Sequence, residues 1–128
     1  MKRLFLIALL LLSSGPAYAE WVPVGTTVNE ATVYVDPATI RHKRELAELW
    51  VLFDYKLAQS LPPASHYLSM RNLHQYNCGE ERFRLLSATW FLGNMGQGAV
   101  LDDIVKESEW RPIRDSLGRR LMELACKP

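Results

Sequence analysis

Residues 46–57 read Leu46-Ala47-Glu48-Leu49-Trp50-Val51-Leu52-Phe53-Asp54-Tyr55-Lys56-Leu57, and the period of two in that run sets the class of fold. Ala47, Leu49, Val51, Phe53, Tyr55 and Leu57 fall on one face of an extended chain, while Glu48, Trp50, Asp54 and Lys56 fall on the other. Successive side chains of a strand point to opposite sides, so the pattern describes a strand half buried against a core. An amphipathic helix would instead repeat its apolar positions every three or four residues.

Working outward from this strand, the flanking chain continues in the same style. On the N-terminal side, residues 21–24 and 32–35 are short β-rich runs separated by a polar stretch around Gly25 and Asn29. Asp36-Pro37 closes the second run with turn chemistry, since Pro presets its dihedral and Asp bonds its own backbone. On the C-terminal side, Leu61-Pro62-Pro63 breaks the chain into a loop and residues 66–78 alternate again. A tight connection leads into residues 81–92, where Phe83, Leu85 and Phe91 share one face. Arg82, Arg84, Leu86, Trp90 and Leu92 share the other. The glycine-dense stretch 93–98 suits a hairpin into residues 99–105. These are about six strands with short connections and no crossover helix, which favours antiparallel pairing.

The period changes at the end of the chain. Asp115 or Ser116 can cap a helix, and Leu117, Leu121, Leu124 and Ala125 follow as an apolar stripe, with Arg119, Arg120 and Glu123 on the wet side. A helix with one apolar stripe needs a partner, and the sheet supplies it. The expected fold is therefore α+β, a single antiparallel sheet of about six strands with a C-terminal helix packed on one face.

The first nineteen residues stand apart. Lys2 and Arg3 precede an apolar run over 4–12, a Gly15-Pro16 break and the small-residue pattern Ala17-Tyr18-Ala19. This is the layout of an export signal, with cleavage expected between Ala19 and Glu20. The run is too short for a membrane span, which needs roughly 20 apolar residues. Residues 1–19 are thus expected to be removed, leaving 109 of the 128 residues, 20–128, as one domain. Removal changes the balance of Lys and Arg against Asp and Glu from fifteen over fourteen to thirteen over fourteen. A near-neutral surface of this kind offers no clustered basic face for nucleic acid.

Cys78 and Cys126 are the only two cysteines, and an even count in an exported chain reads as a disulfide. They are too far apart for a redox Cys-x-x-Cys pair and lack the neighbouring histidines of a zinc site. A bridge between Cys78 and Cys126 is worth about 4 kcal/mol by loop entropy, with strain able to reduce it. Cys126 lies about 180° around an ideal helix from Leu117, so the helix is expected to fray or turn before it and let the bridge tie its end to the sheet.

No catalytic set emerges. His42, His66 and His74 have no ligand spacing, and each reads as an ordinary surface or edge histidine. The glycines at 93, 96 and 98 lack the Lys-Ser/Thr and helix of a phosphate loop, so a hairpin turn is expected there. Asp102, Asp103, Glu107 and Glu109 fit no calcium-loop spacing and read as a solvated rim. Neither metal nor cofactor is expected, and the protein reads as a non-enzyme. Of the four tryptophans, Trp50 and Trp90 share strand faces with charged residues. With Arg82 and Arg84 they form a candidate binding surface, the alternative being that each packs in the core or under the helix.

Several stretches of the chain resemble the surface-adhesin protein E family of Gram-negative bacteria. They are residues 21–25, residues 34–41, residues 49–55, Tyr76-Asn77-Cys78 with the Arg-bearing strand after it, Met95-Gly96-Gln97-Gly98, Trp110-Arg111-Pro112-Ile113, and the final Ala125-Cys126. The resemblance implies an antiparallel sheet with a C-terminal helix on its concave face, tied down by the cysteine bridge. It also implies a non-enzymatic adhesin, dimeric in its namesake, that binds host matrix and serum proteins such as vitronectin, laminin and plasminogen. A lipid-anchored member needs a cysteine at the cleavage site, and Glu20 stands there in this chain. The expectation is an exported binding domain without a lipid anchor or membrane span, periplasmic in preference to surface-bound, that engages a protein partner through its sheet. The alternative is a periplasmic accessory domain that holds a small molecule or envelope component between helix and sheet.

Overall fold

The computed structural model describes residues 20–128, so the expected signal over 1–19, including Ala19 of the cleavage site, lies outside the described residues; Glu20 is exposed at their start. The chain forms β1 (Val22–Thr26), β2 (Ala31–Val35), a short 3-10 turn (Pro37–Thr39), β3 (Arg41–Lys43), β4 (Leu46–Leu61), β5 (Ser65–Asn77), β6 (Arg82–Phe91), β7 (Val100–Val105), β8 (Arg111–Pro112) and helix α1 (Ser116–Cys126). Every strand pairing is antiparallel, in the order β1-β2-β4-β5-β6-β7, with β3 beside β4 and β8 beside β6.

The sheet has eight strands where about six were expected. The two additions have three and two residues and lie end to end with longer neighbours. Along one edge of β4, β2 pairs with residues 51–55 and β3 with residues 46–48. Along one edge of β6, β7 pairs with residues 87–91 and β8 with residues 82–83. Segments this short cannot display a period. Between β2 and β3 the chain steps aside through the 3-10 turn, where the Ala38 amide donates to Asp36 Oδ1 at 3.1 Å.

The alternation in β4 places Ala47, Leu49 and Val51 in the core, opposite Tyr76, His74 and Asn72 of β5. Val33 and Val35 extend this layer, and Leu121, Met122 and Ala125 of α1 close it. Leu57 departs from expectation, being 71% exposed. The β4–β5 register shifts between Asp54 and Gln59, and no residue of β4 beyond Tyr55 is buried. The hairpin therefore continues past the area that the helix covers.

Helix α1 begins at Asp115, whose carboxylate accepts from the Gly118 amide at 2.6 Å, a cap of the kind that satisfies an otherwise orphaned N–H. It runs through Cys126 and ends at Lys127, so the expected fraying does not occur. The reason lies in the width of the buried arc. Met122 is buried as well as Leu121 and Ala125, and Cys126 lies only about 40° around the helix from Met122. The disulfide to Cys78 forms from the intact last turn with the Cα atoms 5.8 Å apart. His42 Nε2 bonds the Ala125 carbonyl at 2.6 Å, a second tie at the same end. At the other end, a Cβ on Gly25 would stand 2.9 Å from Leu117 Cδ1, so this glycine lets the helix approach β1. Arg120 Nη1 donates to the Val24 carbonyl at 2.6 Å alongside it.

Candidate functional site

One extra residue in β6 redistributes the side chains expected to form a binding surface. Leu73 pairs with Ser87 but His74 pairs with Leu85, so Leu86 has no partner of its own. A bulge of this kind inverts the alternation of everything beyond it. Residues directly paired across a ladder share a face, so Arg82 and Arg84 project with Asn77 and Gln75 on the face opposite the helix. Trp90 pairs with Met70, which pairs with Phe53, and so belongs to the helix face. Trp50 pairs with Leu73 on the open face. Trp50, Arg82 and Arg84 are thus brought to one side of the sheet and Trp90 to the other. The same bulge moves Phe91 to the open face, away from Phe83 and Leu85.

The open face carries a connected polar and aromatic cluster. The Arg71 guanidinium sits 5.2 Å from the Trp50 ring centroid and 5.3 Å from that of Phe91. Arg84 lies 4.4 Å from the Trp110 centroid, donates from Nε to Gln75 Oε1 at 2.7 Å and pairs with Glu107 at 3.2 Å. Gln75 in turn donates to Glu48 Oε2 at 3.1 Å. Cations held over aromatic faces contribute about 0.5–2 kcal/mol, more where water is excluded. These contacts also hold both arginines in one orientation, which lowers the entropy lost on docking a partner. Arg71, Phe91 and Trp110 were not singled out from the sequence. Arg71 is one charge in an alternating strand, and Phe91 changes face only because of the bulge.

The glycine-rich stretch 93–98 is a turn folded back over one end of this face. Gly93 N–H donates to the Gln97 carbonyl at 3.0 Å, and Gly96 and Gly98 take positive φ of 69° and 83°. The Met95 amide donates to Asp54 Oδ1 at 2.8 Å and the Gly96 amide to Ser69 Oγ at 2.9 Å. Ser69 Oγ donates onward to the Gly93 carbonyl at 2.6 Å. The Gly93, Met95 and Gly96 amides that a phosphate would need are therefore already bonded within the protein. This turn also explains why Leu52, on the side away from the helix, is fully buried.

On the helix face, between β5, β6, β8 and α1, lies a pocket of about 560 Å³. Its walls are mainly apolar and aromatic, and Asn72, His74 and Tyr76 of β5 are polar residues among its lining. His74 was expected at the surface or an edge, but it lies on the helix-facing side of the sheet beside Phe53 and Phe83 and is only 6% exposed, and burial lowers its pKa to about 4. Its Nδ1 lies 2.9 Å from the Tyr76 hydroxyl, whose pKa burial raises well above the ordinary range. Both groups are neutral at physiological pH. Among the described residues no three side chains are arranged to hold a metal ion. The acidic residues considered for calcium are spread out, Asp103 accepting from Thr89 Oγ1 at 2.7 Å and Glu107 pairing with Arg84.

A disulfide-tied antiparallel sheet closed by one helix on one face defines the class of fold. The family model for surface-adhesin protein E matches residues 21–127, and the chain belongs to that family. The fold agrees with solved structures of Haemophilus influenzae protein E. Its crystal form II superposes with a TM-score of 0.65 at 14% identity, over 87% of this chain and 90% of that one. A structure of protein E from non-typeable Haemophilus influenzae superposes with a TM-score of 0.54 at 13% identity, over 79% and 70%. No curated relative matches by sequence. Membership of an adhesin family accords with the non-enzymatic expectation. The disulfide fits an exported protein, and among the described residues no helix is long and apolar enough to cross a membrane.

Proposed function

We propose that the mature domain is an exported adhesin that docks a protein partner on its open sheet face, with Trp50, Arg71, Arg84 and Trp110 as the anchors. The observation that carries this reading is the pair of arginines stacked on aromatic rings on the face that no helix covers. Trp and Arg dominate the energetic centres of protein interfaces, and side chains already ordered lose less on binding. Arg82 lies at the exposed border of the cluster and contributes less, as rim charges do. Trp90, on the helix face, drops out of the surface. The signal is cleaved between Ala19 and Glu20, and the released domain resides in the periplasm, from which it reaches its partner.

The test immobilises host matrix and serum proteins in one series and native envelope proteins in another, and titrates the purified mature domain over both. Saturable binding in either series, weakened at least tenfold by Trp50→Ala or Arg84→Ala and by less than threefold by Trp90→Phe, supports the reading. Binding unaffected by the open-face substitutions, or saturable binding in neither series, refutes it. Light scattering of the same sample reads whether the dimer implied by the family resemblance forms. Cell fractionation with N-terminal sequencing reads the compartment and the first residue.

A further inference from the structure

The alternative expected from the sequence, a small molecule held between helix and sheet, has a specific location in this fold. The pocket of about 560 Å³ beside α1 falls within the roughly 300–1,000 Å³ typical of small-molecule sites. Phe53, Phe83, Leu85, Leu117 and Leu121 make it apolar. Two buried polar atoms of its lining residues, Asn72 Oδ1 and His74 Nε2, have no hydrogen-bond partner among the described residues. Asn72 is 4% and His74 6% exposed, and they sit two positions apart on β5, on the same face. A buried polar group without a partner costs on the order of 1–3 kcal/mol, so two in one wall call for an explanation.

Hydrogen bonding assigns the roles of these atoms. Tyr76 is almost fully buried, and His74 Nδ1 is the partner its hydroxyl meets. If the phenol donates to Nδ1, one donor, the Nε2 hydrogen, is left over. If Nδ1 donates instead, both the phenolic hydrogen and Nε2 are left over. The first arrangement leaves fewer groups unpaired and makes Nε2 a donor. The pocket wall thus holds one unpaired donor on His74 and one unpaired acceptor on Asn72, both sealed from the cavity in this conformation. A ligand group matching both must accept and donate while remaining uncharged, because His74 is held neutral and an unpaired charge is costly in an apolar site. Arg111, Arg114 and Asp115 border the pocket, but all three are exposed to solvent, which screens them, and Asp115 is committed to the helix cap.

We infer that this pocket binds a predominantly apolar small molecule through a neutral alcohol or carboxamide group that accepts from His74 Nε2 and donates to Asn72 Oδ1. Neither atom is open to water, so engagement requires a change of side-chain rotamer in the pocket wall, a common event on binding. The site lies on the opposite side of the sheet from the proposed protein-docking surface, so each reading can fail without the other.

The experiment follows the side-chain and ring signals of the mature, disulfide-bonded protein by NMR during titration with 1-octanol. A parallel titration uses 1-methoxyheptane, which has the same number of heavy atoms but no donor. The expected result is saturable binding of octanol, with shifts at His74, Asn72 and Leu121, about tenfold tighter than the ether. Asn72→Val and His74→Phe should each bring the two ligands to within about twofold of one another. Equal affinity of the two ligands for the unsubstituted protein, shifts confined to the open face, or no saturation up to the solubility limit of octanol would overturn the inference. Because the two-ligand comparison uses the unsubstituted protein, it decides the matter even where a variant fails to fold.

Discussion

Acidification from pH 7 to pH 4.5 should destabilise this domain through one residue, His74. Burial lowers its folded-state pKa to about 4 from an ordinary value of 6.5. The groups around it that carry or exchange protons are Tyr76, bonded to Nδ1, and Arg111, Arg114 and Asp115 on the border of the same pocket. Above pH 6.5 the imidazole is neutral in both states and adds no pH dependence. Between pH 6.5 and 4 only the unfolded chain takes up the proton, so stability falls as pH falls. Below pH 4 both states hold the proton and the loss is complete. One full proton corresponds to about 1.4 kcal/mol per pH unit. Integrated over this window, the loss reaches about 2 kcal/mol at pH 5 and about 3 kcal/mol at pH 4. That is a large share of the roughly 5–15 kcal/mol that holds a small domain folded. The measurement is urea unfolding followed by tryptophan fluorescence, with the bridge intact, at pH 7, 6, 5 and 4.5, for the unsubstituted protein and for His74→Phe. Phenylalanine keeps the ring between Phe53 and Phe83 but does not titrate. Losing the bond to Tyr76 shifts the variant's curve by a constant, and carboxylates contribute equally to both proteins. The stability difference between the two should therefore shrink by about 2 kcal/mol from pH 7 to 5. Parallel stability curves for the two proteins would show the reasoning to be wrong.

Three other outcomes test the architecture. Replacing both Cys78 and Cys126 by serine should cost about 4 kcal/mol and lower the melting temperature by roughly 15–30 °C, and a fall of only a few degrees would argue against the bridge as the main tie of α1. Ser69→Ala removes the acceptor of the Gly96 amide and the donor to the Gly93 carbonyl, so it should cost about 1–3 kcal/mol and speed hydrogen exchange at Gly96, measured by NMR. Asp115→Ala removes the helix cap and should cost about 1 kcal/mol in urea unfolding, while Asp115→Ser should recover most of it.

The six long strand segments and the helix were readable because each is long enough to express its own period. Ala47, Leu49 and Val51 repeat every second residue, and Leu117, Leu121 and Ala125 repeat every four, so burial on one side is written directly into the chain. The two short strands were not readable, because pairing over two or three residues depends on a neighbour already in place. The candidate surface was readable only in part. Trp50, Arg82 and Arg84 kept the face expected of them, while Trp90 and Phe91 exchanged sides. Nothing in the residues 85–87 announces a bulge, since Leu85, Leu86 and Ser87 are all compatible with an unbroken strand.

The class of fold, the bridge and the start of the helix are all written in the chain, since local periodicity, cysteine count and capping chemistry act over short stretches or by elimination. Which residues meet depends on the folded arrangement. Placing one unpaired residue at Leu86 inverted half of a strand, put Phe91 beside Arg71, and left Trp90 beneath the other face. Packing of α1 over β5 then turned His74 from an apparent surface histidine into a buried neutral one beside a pocket. Such outcomes depend on register and on the burial of one element by another, quantities that no single segment carries.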